Sequence, residues 1–383
     1  MRWPPHLALL LALLLFVSGQ AFAQEDVLGS AGLGRPMRPL DARARGMGGA
    51  AVALHGGNLS AVNPASLARV SLPGFWLTLM PESRTVSGDV LRGETETADF
   101  PLGRLVIPFG GRWVVGAAFG GFLDQDWSVA YVDTLRLSTE DIPFIETRSS
   151  DGGISQLRVE LAGVLSAHWG LGVSGLYYTG EVRRSIEREF PSPFLTYRSA
   201  TAIQYQGWGL ELGAEYQPMR EMILGAVAGW GPGLQARNDS TGQELDLDLP
   251  LALQLGGSWQ LTPDFIAAIA LGWENWSALD TELPEPGSSD VWRVGTGVEL
   301  RALSGPTSAL FVRLGGSLER LPFRLGSDAP WERAVSLGIG ATLREGRGRL
   351  DAAVEFGRRA DRSTHGIEES FRRLSFSMAV FTP

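Results

Sequence analysis

Residues 245–255 read LDLDLPLALQL, with leucine at every second position and Asp, Asp, Pro, Ala and Gln between the leucines. A helix would mix these two sets of side chains because its period is 3.6 residues, whereas a strand separates them onto two faces. The stretch therefore predicts a β-strand with one apolar face. The question that it raises is what each face contacts.

The N-terminus has the pattern of a secretory leader. Arg2 precedes an unbroken apolar run from Leu7 to Val17, and Ala21-Phe22-Ala23 supplies the small residues of a cleavage site. We expect residues 1–23 to be a signal peptide cut before Gln24, because the apolar run is too short to span the ~30 Å core of a bilayer as a helix. A chain with this leader and no cysteine is typical of a bacterial envelope protein. The net charge of −9 argues against a nucleic-acid partner.

The alternation of residues 245–255 recurs along most of the chain after residue 72. It predicts an all-β fold of fourteen strands: 73–83, 98–109, 112–124, 153–167, 171–184, 197–217, 222–236, 244–261, 265–278, 290–303, 307–320, 332–344, 348–360 and 369–381. Most of these strands exceed the ~5–6 residues usual in soluble sheets and suit the ~9–11 residues that a tilted membrane strand needs.

Long and short connections alternate between the strands, as they do in outer-membrane barrels. Alternation alone also fits a soluble sandwich, but strand length, the leader and the loop asymmetry favour a closed transmembrane antiparallel β-barrel. In such a barrel the leucines of 245–255 face lipid, and Asp246, Asp248 and Gln254 face the interior. The longest connection is assigned as a loop, although Trp127 to Leu137 could form another strand.

Residues 24–71 do not alternate and are rich in small side chains. Arg43 to Ala53 reads RARGMGGAAVA, and an NPASLA stretch begins at Asn63. This pair of motifs resembles the FadL/TodX superfamily of outer-membrane proteins, and its GMGGA form is closer to the PorV/PorQ branch. The resemblance implies a barrel over 72–383 with an N-terminal plug or hatch over 24–71. Its plug-motif residues would be Gly46, Met47, Gly48, Gly49, Asn63, Pro64 and Ala65.

In transporters of the superfamily, the third strand is kinked and opens sideways. The third predicted strand here contains Gly120-Gly121, and adjacent glycines weaken strand pairing. A lateral opening there is one interpretation, and simple accommodation of barrel curvature is the other. Inward-facing charges should form a lumen network that either satisfies itself or selects permeants; its expected members are Arg158, Glu160, Glu211, Asp246, Asp248, Arg293, Glu299 and Arg301.

The chain shows no motif for catalysis. It lacks a G-x-S-x-G elbow, and without cysteine or a close His/carboxylate cluster it predicts no metal site and no cofactor. We expect a non-enzymatic protein of the bacterial outer membrane that contacts outer-membrane lipid. The first hypothesis is a passive channel that takes up hydrophobic or amphipathic small molecules. The alternative is a PorV/PorQ-like barrel that does not transport and binds a secreted or envelope protein partner.

Overall fold

The computed structural model describes residues 33–88, 92–137, 141–281, 287–344 and 346–382, so the predicted leader lies outside the described residues. The strands are β1 (Arg35–Pro36), β2 (Gly74–Gly88), β3 (Arg92–Phe109), β4 (Trp113–Asp124), β5 (Trp127–Arg136), β6 (Asp141–Val164), β7 (Trp169–Glu189), β8 (Tyr197–Met219), β9 (Met222–Asn238), β10 (Glu244–Thr262), β11 (Phe265–Glu274), β12 (Val291–Ser304), β13 (Ala309–Arg320), β14 (Trp331–Leu343), β15 (Gly348–Arg359) and β16 (Ile367–Phe381). The helices are α1 (Ala42–Gly46), α2 (Arg362–His365) and the 3-10 helices Pro64–Arg69 and Trp276–Thr281. Of the helices in these ranges, none has the length and apolar character to cross a membrane.

Within the described residues, fourteen of these strands close into an antiparallel barrel. β2 pairs with β16 and β3, β3 pairs with β4, and from β6 to β16 each strand pairs with the next in the chain; the ring closes where β4 pairs with β6. The short β1 adds to β4, and β5 adds to β6. Closure pairs the backbone groups that a sheet edge would expose, which is the condition for a sheet in lipid. The prediction of a fourteen-stranded barrel is confirmed.

The two faces of the barrel wall have opposite chemistry. Leu105, Val159 and Ile339 belong to a belt of outward side chains that remain exposed. Arg104 and Glu160, which alternate with such residues, are buried inside. This arrangement is the reverse of a soluble protein and suits an apolar belt against acyl chains.

The strands rise beyond the apolar belt at the end with the long connections. β6 begins at Asp141 rather than near residue 153, and β5 continues the line of β4 along β6 after a break at Gln125-Asp126. The assignment of this region to a loop was therefore wrong, and the alternative strand at Trp127 is present. Because β5 extends β4 along the same neighbour, it leaves the number of strands in the ring at fourteen.

The stretch 245–255 changes face at its proline. Leu247 and Leu249 are buried, whereas Leu251 and Leu253 are exposed. The pairing of β10 with β9 shifts on both sides of Leu249, and the partners run from Leu247↔Leu234 through Leu249↔Gly231 to Ala252↔Gly229. A bulge adds one residue to a strand and so exchanges the inner and outer faces beyond it. Pro250 suits this position because it has no N–H for the ladder.

The prediction that Asp246 and Asp248 face the lumen was therefore wrong. Both side chains are exposed on the face opposite Leu247, beyond the membrane belt. The inward Leu247 and Leu249 join a buried apolar cluster with Leu176, Tyr178 and residues of six other elements. Gln254, on the far side of the bulge, does face inward and lines an internal cavity.

Candidate functional site: the N-terminal segment and the seam of the barrel wall

The segment 33–71, called here the N-terminal segment, packs against the inward faces of the strands. α1 contacts β13 to β16, and the 3-10 helix Pro64–Arg69 contacts β4 and β6 to β8. From Leu40 to Ala68, nearly every described side chain is buried. The side chain of Asp41 caps α1 by accepting a hydrogen bond from the Ala44 N–H at 3.1 Å.

The glycine motif lies in backbone-to-backbone contact with the wall. Gly48 has φ +65°, and a Cβ there would lie 2.3 Å from the Gly316 carbonyl oxygen. From the wall side, a Cβ on Gly297 would lie 2.5 Å from the Met47 Cα, and a Cβ on Gly315 would lie 2.2 Å from the Gly48 nitrogen. Glycine is needed on both sides of this contact because no side chain fits between the two backbones.

The other glycines of the motif are equally enclosed. A Cβ on Gly46 would lie 3.1 Å from the Gly338 Cα. Gly49 has φ +77°, and a Cβ there would lie 2.8 Å from Arg38 Nη1. The structure thus places all four GMGG residues against the wall or within the segment.

Asn63 joins the N-terminal segment to the wall. Its side-chain oxygen accepts a hydrogen bond from the Ala65 N–H at 2.9 Å and so caps the 3-10 helix that begins at Pro64. Its Nδ2 donates to the carbonyl oxygens of Val52 at 2.9 Å and Ala214 at 3.3 Å. An amide that serves both as donor and as acceptor explains why the NPA element needs asparagine.

Charged pairs fix the segment at two further points. Arg43 donates to Glu299 on β12 at 2.6 and 2.8 Å, and Arg313 on β13 contacts the same carboxylate at 2.6 Å. Arg45 reaches Glu355 on β15 at 3.5 Å. Buried charges are retained when they are paired in this way, because an unpaired charge would carry the full desolvation cost.

The predicted lumen residues that face inward form separate ion pairs and small clusters rather than one network. Glu160 pairs with Arg104, Arg158 pairs with Glu211, and Arg293 pairs with Glu274 and Glu319. Arg301 has the inward parity of β12 but lies at the short-turn end, where it is exposed and pairs with Asp264 at 3.4 Å. Its inclusion in the network was wrong, because alternation shows which face of a strand a residue is on but not how far along the barrel axis it lies.

The largest ionic cluster was missed from the sequence. Glu82 on β2 is fully enclosed by Arg35, Arg84, Arg359 and Arg373, at distances of 3.1, 2.7, 2.9 and 2.6 Å. The alternation along β16 could have identified Arg373 as inward-facing, because it lies on the same face as Ser375 and Ser377. The predicted first strand stopped at residue 83 and so left no alternation to read around Arg84.

The pair of Arg104 and Glu160 gives a direct test of the buried charges. Arg104 donates to both Glu160 oxygens at 2.7 and 2.8 Å and to the Ser60 carbonyl oxygen at 2.8 Å. We expect Arg104→Met to lower the free energy of unfolding by about 3–5 kcal/mol, because it leaves a buried carboxylate unpaired. Urea unfolding from lipid vesicles measures this change. The double variant with Glu160→Met should recover most of the loss, and an unchanged single variant would contradict the described burial.

The wall of the barrel divides between β3 and β4. Their pairing runs from Phe109↔Trp113 only as far as Gly103↔Phe119, although both strands continue. Pro101, which follows in β3, has no N–H to continue the ladder. In the described residues, the free edge of β4 beyond Phe119 pairs only with β1, through Pro36↔Leu123 and Arg35↔Asp124. We call this division of the wall the seam.

The glycine pair lies at the start of the seam. A Cβ on Gly120 would lie 2.1 Å from the Pro101 carbonyl oxygen, so the two strands still touch there. A Cβ on Gly121 would lie 1.9 Å from the Met37 methyl carbon, so the next contact of β4 is the N-terminal segment. A register shift between Gly121 and Leu123 marks a bulge in the pairing with β6. The bulge lies immediately after the glycine pair, in the third strand of the barrel.

The N-terminal segment fills the seam at its outer end. Met37 N–H donates to the Phe122 carbonyl oxygen at 2.8 Å, and Arg35 pairs with Asp124 at 2.6 Å. Just beyond, burial raises the pKa of Asp126 to about 6, and the charges of Asp124 and Asp151 also raise it. The outer end of the seam therefore gains a proton in mildly acidic medium.

A cavity of about 100 Å³ lies directly behind the seam. Met37 and Phe122 line it on the seam side, and Tyr178 and Trp276 contribute aromatic surface deeper in. Phe122 and Tyr178 contact each other with ring centroids 4.5 Å apart. The lining also includes charged side chains, among them the paired Arg158 and Glu211, so aromatic surface and fixed polar groups both face the cavity.

Solved structures with the same fold are outer-membrane transporters and channels. The Ralstonia pickettii toluene transporter TbuX is 15% identical and aligns over 91% of this chain and 99% of its own, with a TM-score of 0.64. A Pseudomonas aeruginosa FadL homologue is 13% identical over 90% and 98%, with a TM-score of 0.61. The Pseudomonas putida toluene transporter TodX is 15% identical over 90% and 99%, with a TM-score of 0.59. At identities this low, the TM-scores show a shared fold and no more. The closed barrel with its exposed apolar belt indicates a bacterial outer-membrane protein.

Sequence comparison gives the family. No curated protein sequence matches the chain. The family model for BamG matches residues 7–230, which is more than half of the 383 residues. The FadL/TodX resemblance thus extends to the fold, and the comparisons do not place the chain in the PorV/PorQ branch. The chain belongs to the BamG family.

Proposed function

We propose that this barrel is an outer-membrane channel for hydrophobic or amphipathic small molecules, plugged by the N-terminal segment, with its exit through the seam. The observation that carries the proposal is that β1 and Met37, rather than β3, complete the wall beside β4. A wall element that belongs to the N-terminal segment can leave without breaking the ladders of the fourteen strands. The similar fold of toluene transporters supports the same class of permeant.

The size of the cavity requires the segment to move during passage. An engineered cavity of about 150 Å³ in a protein core binds benzene, whereas the space behind the seam is about 100 Å³. Displacing Met37 would join this space to the seam, because Met37 lines both. The described conformation is then the closed state.

Uptake into proteoliposomes tests the proposal. Vesicles that contain albumin as an internal trap should take up a fluorescent fatty-acid analogue faster with the folded protein than with heat-denatured protein. The same vesicles should not swell in an isotonic maltose solution, since no water-filled passage is open. Swelling in maltose would indicate a general porin instead, and equal uptake with denatured protein would remove the channel proposal.

A second candidate is a barrel that binds a protein partner, as PorV/PorQ-like proteins would. The specific support is the BamG family itself, whose name points to the context of outer-membrane assembly. Affinity purification from native membranes separates the two candidates. Stoichiometric protein partners would support the binding role, whereas a hydrophobic molecule retained behind Met37 would support the channel.

A further inference from the structure

Four neighbouring strands carry a polar groove on the outer wall of the barrel. The strands are β2, β16, β15 and β14, Ser317 of β13 also lines the groove, and its volume is about 660 Å³. Cross-strand pairing arranges its outward side chains in two rows. The row nearer the membrane is Ser83, Arg372, Phe356 and Val335, and the outer row is Thr85, Ser370, Arg358 and Arg333.

Three arginines crowd this groove with few acids. Arg333 and Arg358 are direct cross-strand partners, and Arg372 is diagonal to Arg358 on the next strand. Like charges directly opposite each other destabilise a sheet. Arg358 contacts Glu368 at 3.7 Å, and among the described residues Arg333 and Arg372 make no ion pair. Asp361 lies close enough to Arg333 to interact with it electrostatically. The three arginines outnumber Glu368 and Asp361, so the groove keeps a net positive charge on an otherwise acidic protein.

The depth of the groove places it at the level of lipid headgroups. The next outward residues toward the short-turn end are Leu337, Val354 and Leu374, which pair in one row of the apolar belt. The arginines lie one and two steps outside that row, on the side of the long connections. Phe356 and Val335, within the groove itself, continue the belt up to the charges.

We propose that this groove binds the phosphate-bearing headgroup of an anionic lipid in the outer leaflet. Guanidinium groups match phosphate oxygens with paired N–H donors. The hydroxyls of Ser83, Thr85 and Ser370 supply further donors. A lipid fits better than an acidic protein because the apolar floor runs without a break into the belt, where the acyl chains of the same molecule would lie.

Native mass spectrometry of the detergent-purified protein tests the site with phosphatidylglycerol as the probe. The variant Arg333→Gln/Arg358→Gln/Arg372→Gln should retain roughly tenfold less phosphatidylglycerol than wild type, because charge-assisted contacts are lost. Its matched control is Arg183→Gln/Arg198→Gln/Arg237→Gln, which removes three exposed arginines at the same end of the barrel. The control should retain the lipid as wild type does, and zwitterionic phosphatidylcholine should bind all three proteins weakly.

The single variant Arg333→Gln supplies a readout that does not depend on the triple variant folding. In detergent without lipid, its Tm should rise above that of wild type, since the repulsion with Arg358 is relieved. With phosphatidylglycerol added, wild type should gain more Tm than the variant. Equal lipid retention by the wild type and the triple variant would contradict the proposed site. The same rise in Tm with phosphatidylglycerol in wild type and in Arg333→Gln would also contradict it. Displacement of the lipid by soluble glycerol phosphate, or an acidic protein held in its place, overturns the lipid assignment.

Discussion

Oxidation of the double variant Met37→Cys/Gly121→Cys should abolish uptake of a hydrophobic probe, and reduction should restore it. A Cβ built on Gly121 lies 3.8 Å from the Met37 Cβ, which is the mean Cβ separation of a disulfide. The shorter cysteine side chain at position 37 also lacks the methionine atoms that would meet that Cβ. Because the chain has no cysteine of its own, the bridge is the only one that can form within it. The measurement is probe uptake by proteoliposomes before and after treatment with a reductant.

The matched control places a bridge between two barrel strands that should not move during passage. Ala341 and Leu350 are outward-facing cross-strand partners near the short turn between β14 and β15. Antiparallel partners have Cα separations of about 4.5–5.5 Å, within the range that a disulfide spans. Oxidised Ala341→Cys/Leu350→Cys should take up the probe at the wild-type rate. Full uptake by the oxidised Met37→Cys/Gly121→Cys variant would show that the seam stays closed during passage.

Gly297→Val should displace the N-terminal segment from the wall and open a conducting pore. A Cβ at this position meets the Met47 Cα, carbonyl carbon and carbonyl oxygen within 2.6 Å, and backbone atoms cannot rotate away. Overpacking of a well-filled interior commonly lowers the free energy of unfolding by about 1–3 kcal/mol. Here the N-terminal segment can avoid the strain only by moving away from the wall. Single-channel recording in planar bilayers should show a raised conductance, and added protease should cleave within residues 33–71.

Gly175→Val is the control for that variant. Gly175 also lies within a barrel strand, but a Cβ there meets nothing within 4 Å. The control should keep the low conductance and the protease resistance of wild type. If Gly297→Val folds and behaves as its control does, the close contact between the GMGG motif and the wall does not hold the segment in place.

The sequence predicts the spanning part of the fold well because lipid imposes one rule on every strand. The predicted strand 348–360 ends within one residue of β15, and 222–236 ends within two residues of β9. Beyond the apolar belt both faces of a strand contact water or protein, so the signal that located the strands is absent. For this reason β6 begins twelve residues earlier than its alternation indicated.

The site is less predictable because its contacts join distant parts of the chain. Arg43 and Glu299 are 256 residues apart, and a single sequence does not show that these two charges meet. β1 has two residues, too few for any periodicity. The exchange of faces at Pro250 depends on matched bulges in β9 and β10, whereas the leucine pattern runs through it unchanged. The motifs indicated which residues matter, and only the register showed what they contact.

Photolabelling tests whether hydrophobic molecules cross the wall at the seam. Proteoliposomes would be irradiated with a diazirine-bearing fatty-acid analogue, and the labelled residues would be mapped by mass spectrometry. We expect labelling of Met37, Phe122 and Tyr178, and an excess of unlabelled fatty acid should suppress it. In the oxidised Met37→Cys/Gly121→Cys variant, Tyr178 should no longer be labelled. Labelling confined to outward belt residues such as Val159 and Ile339, unaffected by competitor or bridge, would contradict passage at the seam.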